Sequence, residues 1–97
     1  MKNTNTKTKS KGNGKDAEIK NEISTFERLI EKALKKVGEM HKNGLALNYV
    51  EFFIKIVSYE YIDIYHRPIY SSALYNTALE NVSKRKNKPE IMQYKML

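Results

Sequence analysis

The chain has 97 residues, 40% of them hydrophobic, and a formal net charge of +7. This length fits one compact domain, and the lack of any cysteine excludes disulfides, thiolate metal sites and cysteine nucleophiles. No apolar run approaches the roughly 18 residues of a membrane span, and no apolar signal segment follows the basic N-terminus. We therefore expect a protein with no membrane partner, in a reducing intracellular compartment such as the cytoplasm.

Positive charge is concentrated at both ends of the sequence. Residues 1–15 hold five lysines and no acidic residue, and residues 84–97 hold five basic residues and one acidic residue. Residues 16–83, by contrast, hold eight basic and ten acidic residues. An acidic partner such as nucleic acid would therefore be contacted mainly by the two ends.

Residues 1–15 are predicted to be a disordered basic arm, because they have no large apolar residue after Met1 and cannot offset their chain entropy by burial. Spaced lysines on a polar chain suit phosphate contacts that do not read base sequence. A tail that only keeps the protein soluble has the same composition. The candidate phosphate contacts in the arm are Lys7, Lys9, Lys11 and Lys15.

Residues 16–43 show the pattern of an amphipathic helix, which begins at Asp16 or at Ser24 and ends before Gly44. Its apolar residues recur at alternating spacings of three and four, at Ile23, Phe26, Ile30, Ala33, Val37 and Met40. This spacing is typical of a helix facing a protein core and also of a short coiled-coil seam between two copies.

A second helix is predicted from residue 48 to about residue 65. Asn48 can cap its start, with Glu51 at the third helical position, and Pro68 closes it. Val, Ile, Phe and Tyr, which favour strands, make up fourteen of the twenty-two residues 49–70. The helical spacing nevertheless favours a helix, and its many apolar residues predict that it is largely buried.

A third helix is predicted for residues 71–86, with Ser71 or Ser72 as its cap. Its buried stripe is expected to be Leu74, Ala78, Leu79 and Val82. Beyond it, Pro89 begins either a short helical turn or a short strand. The sequence thus predicts a single all-α domain over residues 16–97, with three or four helices in helix-turn-helix-like order and a basic C-terminal segment, 83–97.

The residue types give little support to catalysis. His41 lies at a helix end, where the dipole favours an imidazolium, and His66 has Asp63 as a neighbour, but two ligands do not make a metal site. No glycine spacing fits a phosphate-binding loop. We predict that the protein is not an enzyme and needs neither a cofactor nor a metal.

Nucleic-acid binding has more support from the order of the elements. If the 71–86 helix were a recognition helix, its first turns would present Ser72, Tyr75 and Asn76 to base edges. The basic run behind them would contact phosphates through Lys84, Arg85, Lys86 and Lys88. Among the tyrosines, Tyr70, Tyr75 and Tyr94 are expected to be exposed.

The function predicted from the sequence is that of a small regulator or accessory factor that binds nucleic acid. DNA is favoured over RNA, and double-stranded DNA is favoured in particular. The alternative is a helical protein-interaction module that forms a homodimer, or docks on a partner protein as a small inhibitor, through the 23–40 apolar face.

Overall fold

The computed structural model describes the backbone of residues 11–96 and the side chains of residues 16–96. It contains three α-helices, α1 (Lys11–Lys42), α2 (Tyr49–Tyr65) and α3 (Ser72–Lys86), and a short 3-10 helix, η1 (Pro89–Tyr94). No strand occurs within residues 11–96. The predicted all-α fold is confirmed, and the segment after Pro89 is helical and not a strand.

The predicted disordered arm, residues 1–15, falls mostly outside the described residues, and the disorder of residues 1–10 stays a prediction. The helix α1 begins at Lys11, five residues before the expected start at Asp16, and runs without a break through Ser24. Continuing an existing helix gains one hydrogen bond for each residue added, whereas starting a new one is costly. The capping signal at Ser24 is therefore not used.

The residue that caps the start of α2 is the predicted one, whereas the residue that ends the helix is not. The Asn48 side chain accepts a hydrogen bond from the Glu51 N–H at 3.1 Å, a cap that stabilises a helix by about 1 kcal/mol. Gly44, after α1, has the left-handed φ of 72° that was expected there. The helix α2 ends before the predicted break at Pro68, because His66 already takes a left-handed conformation with φ 59°.

The helix α1 is the centre of the fold, with α2 antiparallel to it on one side. The Tyr61 hydroxyl, near the end of α2, donates to the Glu22 carboxylate near the start of the packed part of α1, at 2.7 Å. At the other end of the pair, the rings of His41 and Tyr49 stack with centroids 3.9 Å apart. The end of each helix thus meets the start of the other.

The helix α3 packs on another side of α1 and runs parallel to it. Tyr75, early in α3, meets the Phe26 ring edge-on at 5.7 Å, and Arg85, late in α3, bonds to Glu31 further along α1. Within residues 11–96, α2 and α3 do not pack directly on each other, and η1 lies between them in contact with both. This 3-10 helix therefore closes the core.

Aromatic rings form the middle of the core. Phe26 of α1 stacks on Tyr61 of α2 with centroids 5.0 Å apart. Phe53 of α2 stacks in the same way on Tyr94 of η1 at 3.9 Å. Fully burying a large apolar side chain contributes about 1.5–3 kcal/mol, so these four rings help to hold the three elements together.

The prediction that α2 is largely buried is wrong. Only Phe53, Val57 and Tyr61 of its residues are buried, whereas Tyr59 and Ile62 are exposed. The helix has neighbours on its inner side alone, because no other element within residues 11–96 covers its outer side. Despite its apolar character, neither α2 nor any other helix in residues 11–96 has the length and hydropathy required to cross a bilayer.

Candidate nucleic-acid interface

The candidate phosphate contacts of the N-terminal arm are only partly within the described chain. Lys7 and Lys9 lie outside it. Lys11 and Lys15 belong to the first turns of α1, where the backbone alone is described. Their role in phosphate binding stays a prediction.

The lysines of the C-terminal basic run are at the surface, as expected. Lys84 pairs with Glu80, four residues before it, at 3.6 Å, and both side chains are more than half exposed. Such pairs stabilise a helix by only about 0.3–0.5 kcal/mol, so Lys84 can readily exchange Glu80 for another anion. Lys86 and Lys88 are exposed and make no ion pair with any of residues 16–96.

Arg85 differs from these lysines because its charge is already neutralised. Its guanidinium bonds to the Glu27 carboxylate at 3.2 Å and also to Glu31, both on α1. Asn81 adds a hydrogen bond to Glu27 at 3.0 Å. The hydrogen bonds that Arg85 donates to Glu31 and Glu27 raise the pKa of its guanidinium. Arg85 holds α3 on α1, and it could bind phosphate only by leaving two carboxylates.

Tyr75 is not the exposed base contact that the sequence suggested. The structure buries it completely, and its hydroxyl donates to the Tyr94 carbonyl at 2.7 Å. Burial of the Tyr75 hydroxyl is the main cause that raises its pKa, and the electrostatic interaction with Tyr94 raises the pKa further. Tyr94 is also buried, so of the three tyrosines expected at the surface only Tyr70 is exposed. The helical phase of α3 explains this, because Tyr75 shares a face with Ala78 and Val82.

Asn76 and Ser72 complete the predicted base-reading set, and neither presents a ready contact. The Asn76 amide nitrogen donates to the Met96 carbonyl at 2.8 Å, and the Met96 N–H donates to the Asn76 amide oxygen at 2.9 Å. Both polar groups of this amide thus hold the C-terminal segment. Ser72 is half-buried beside a groove between α2 and the loop before α3.

A groove of about 640 Å³ lies where the C-terminal halves of α1 and α3 meet η1, and we call it the basic groove. Lys35 of α1 stands on one side, with Lys86 and Lys88 on the other. Apolar groups form the floor, among them Val37 and Ile91. The parallel direction of α1 and α3 brings these lysines together. Their spacing along the sequence does not reveal that they meet.

Two carboxylates border the basic groove, against its three exposed lysines. Glu31 shares the guanidinium of Arg85 with Glu27, so its charge is compensated only in part. Glu90 makes no ion pair with another of residues 16–96. Three lysines against two carboxylates leave the groove with a net positive charge, which favours an anionic ligand.

A second polar cluster joins α1, α2 and the loop before α3. The Arg67 guanidinium bonds to the Glu22 carboxylate at 3.2 Å and to the Tyr61 hydroxyl, and it lies over the rings of Tyr61, Tyr65 and Tyr70 at 5.2–5.3 Å. Burial, and then the Glu22 contact, raises the pKa of Tyr61 to about 12. A hydroxyl held in its protonated form is a poor nucleophile, so this cluster is suited to fixing the loop.

The histidines have no metal-binding neighbourhood. Within the described side chains, no three histidine, aspartate or glutamate residues are close enough together to hold a metal ion. His41 lies on Tyr49, at the edge of the basic groove.

Comparison of the chain with protein-family models, curated proteins and solved structures finds no match.

Proposed function

We propose that this protein binds nucleic acid, and double-stranded DNA in the first instance, by contacts between its lysines and the phosphate backbone. The observation that supports the proposal is the meeting of Lys35, Lys86 and Lys88 around one groove whose two carboxylates, Glu31 and Glu90, do not balance them. Lys84, on the last turn of α3, adds a further positive charge near the groove. Each phosphate that they neutralise releases counterions, which drives association.

In this proposal α3 contributes its C-terminal lysines and not its first turn. Tyr75 is buried and Asn76 is engaged with Met96, so the described fold offers no row of side chains for reading bases. We therefore expect similar affinity for unrelated duplex sequences. The helix-turn-helix-like order predicted from the sequence stays a prediction, and base reading is not part of the proposal.

The test is a titration of fluorescently labelled 25-base-pair duplexes of two unrelated sequences, at several salt concentrations. In the double variant Lys86→Glu/Lys88→Glu we expect affinity to fall roughly tenfold or more at low salt. The slope of log affinity against log salt should fall by about 2, because about 0.9 counterion is released for each phosphate contact. Both side chains are exposed, so the helical circular dichroism should not change.

The matched control is Lys20→Glu/Lys36→Glu, with the same change of net charge at two exposed lysines of α1 that do not line the basic groove and make no ion pair with another of residues 16–96. It should weaken binding much less than the double variant at positions 86 and 88. Equal losses for the two variants would show that only the net charge matters and would refute a role for the groove. No binding to either duplex at low salt would refute the proposed function.

The alternative predicted from the sequence is docking on a partner or a second copy through the 23–40 apolar face. Phe26, Ile30, Ala33 and Val37 of this face are buried against α2 and α3 within one chain. A partner could reach them only if α1 left the core, so their burial does not support the alternative.

A further inference from the structure

The side of α2 that faces away from α1 is apolar and uncovered within residues 11–96. Tyr59 is 68% exposed and Ile62 is 42% exposed, and Tyr70 in the following loop is 81% exposed. A groove of about 710 Å³ runs beside them, and Ile54 and Ser58 form part of its α2 wall. Single exposed apolar side chains are ordinary, but a continuous apolar face with a groove is typical of a protein-interaction site.

Charges on this face are arranged in a way that indicates the partner. Lys55, Tyr59 and Asp63 are four residues apart, so they form one ridge along the exposed side of the helix. Lys55 and Asp63 are both exposed, and neither makes an ion pair with another of residues 16–96. The ridge thus carries a positive charge, an aromatic ring and a negative charge at equal intervals.

We propose that a second copy of this chain docks on this face, with the two α2 helices antiparallel about a two-fold axis near Tyr59. In the commonest class of helix packing, ridges of residues four apart lie side by side. A reversed copy of the ridge places Lys55 beside Asp63 of the second copy, twice over, and places the two Tyr59 rings together. The small Ser58 and the adjoining groove leave room for the ring of the second copy.

The same pattern favours the antiparallel orientation over the parallel one. A parallel pair of helices would set Lys55 against Lys55 and Asp63 against Asp63, which is destabilising. A two-fold interface needs each patch to match itself, and the Lys55–Tyr59–Asp63 ridge does so. The inference goes beyond nucleic-acid binding and does not depend on it.

The first test measures the mass of the full chain by light scattering and sedimentation across micromolar to millimolar concentrations. We expect a dimer whose dissociation constant rises at least tenfold in Lys55→Asp and in Asp63→Lys, because two-fold symmetry creates two like-charge contacts from each change. The control Lys20→Asp reverses an exposed charge on α1 and should leave the dimer intact. Circular dichroism checks that each variant keeps its helices.

The decisive test mixes the two single variants. Lys55→Asp carries two negative charges on the ridge and Asp63→Lys carries two positive charges, so each is expected to be monomeric alone. Mixed together, they should form a one-to-one heterodimer, and the double variant Lys55→Asp/Asp63→Lys should form a homodimer again.

Three outcomes would overturn the proposal. A chain that stays monomeric up to millimolar concentration would leave this face to a different protein. A dimer that is indifferent to both charge reversals would use another surface. Weakened single variants that do not combine on mixing would rule out the antiparallel pairing.

Discussion

At the scale of single residues, the Tyr61 hydroxyl lies in the core and still has two charged partners. It donates to the Glu22 carboxylate and accepts from the Arg67 guanidinium, and these two also bond to each other. A buried hydroxyl without a partner would cost about 1–3 kcal/mol. Since Arg67 comes from the loop and Glu22 from α1, the satisfied hydroxyl also fixes the path of the chain between α2 and α3.

The raised pKa of Tyr61 predicts an effect of alkaline pH on stability. Its pKa in the fold is about 12, against 10.0 for an ordinary tyrosine, so the folded chain holds this proton more tightly than the unfolded chain. The stability that results is fully present below pH 10 and is lost as the pH rises towards 12. Denaturant unfolding between pH 9 and pH 12 should show a steeper loss in the wild type than in Tyr61→Phe. Equal slopes for the two proteins would contradict this reading.

Residue by residue, the sequence predicted exposure less well than it predicted helices. Lys86 and Lys88 were correctly placed at the surface, and so was Tyr70. Tyr75 and Asn76 are predicted to be exposed in the first turns of α3, because nothing in the sequence shows that η1 and the residues after it return to bond with them. Their hydrogen bonds join residues nineteen and twenty positions apart in the chain, a distance that local patterns do not reach.

At the scale of elements, periodicity and capping residues were enough to predict three helices. The alternating apolar spacing of α1 and the Asn48 cap of α2 are local signals, and both are present in the structure. The burial of α2 and the parallel direction of α3 could not be predicted, because they depend on how many neighbours each helix has. A small chain has few elements, so an apolar helix can lack the neighbours needed to bury all of its apolar side chains.

The position of the α1 apolar face predicts the result of placing a charge there. Ile30 is fully buried, so Ile30→Asp puts an unpaired carboxylate in the core at a cost of several kcal/mol. Since small domains are stable by about 5–15 kcal/mol, this is a large share of the stability, and the midpoint of denaturant unfolding should fall sharply. The control Lys36→Asp, on the exposed side of α1, should unfold close to the wild-type midpoint. An unchanged midpoint for Ile30→Asp would show instead that this face is not part of the core.

At the scale of the whole molecule, Lys11 and the basic groove lie at opposite ends of α1. From Lys11 to Gly38, at the basic groove, the helix rises about 40 Å. Duplex DNA rises about 3.4 Å for each base pair, so this separation corresponds to about 12 base pairs. If the protein binds DNA as proposed, we expect a duplex shorter than this to contact one end of α1 at a time and a longer duplex to contact both.

Deletion of residues 1–10 tests this arrangement. The deletion removes Lys2, Lys7 and Lys9, so the salt slope for a 25-base-pair duplex should fall by up to about 2.7. For an 8-base-pair duplex the loss of affinity should be much smaller, because its phosphates can still contact Lys35, Lys86 and Lys88 at the groove. The same proportional loss for both lengths would indicate that the arm and the groove do not act together on one duplex.

The position of η1 between α2 and α3 has a consequence for the order of events during synthesis. Phe53 and Tyr75 both depend on Tyr94 for a contact. The Tyr94 ring stacks on Phe53, and the Tyr94 carbonyl accepts a hydrogen bond from the Tyr75 hydroxyl. Domains emerge from the ribosome N-terminal end first, so α1, α2 and α3 are all made before the last side of their core exists. Until Tyr94 emerges, the nascent chain exposes the rings that η1 later covers, and exposed apolar rings of this kind favour aggregation.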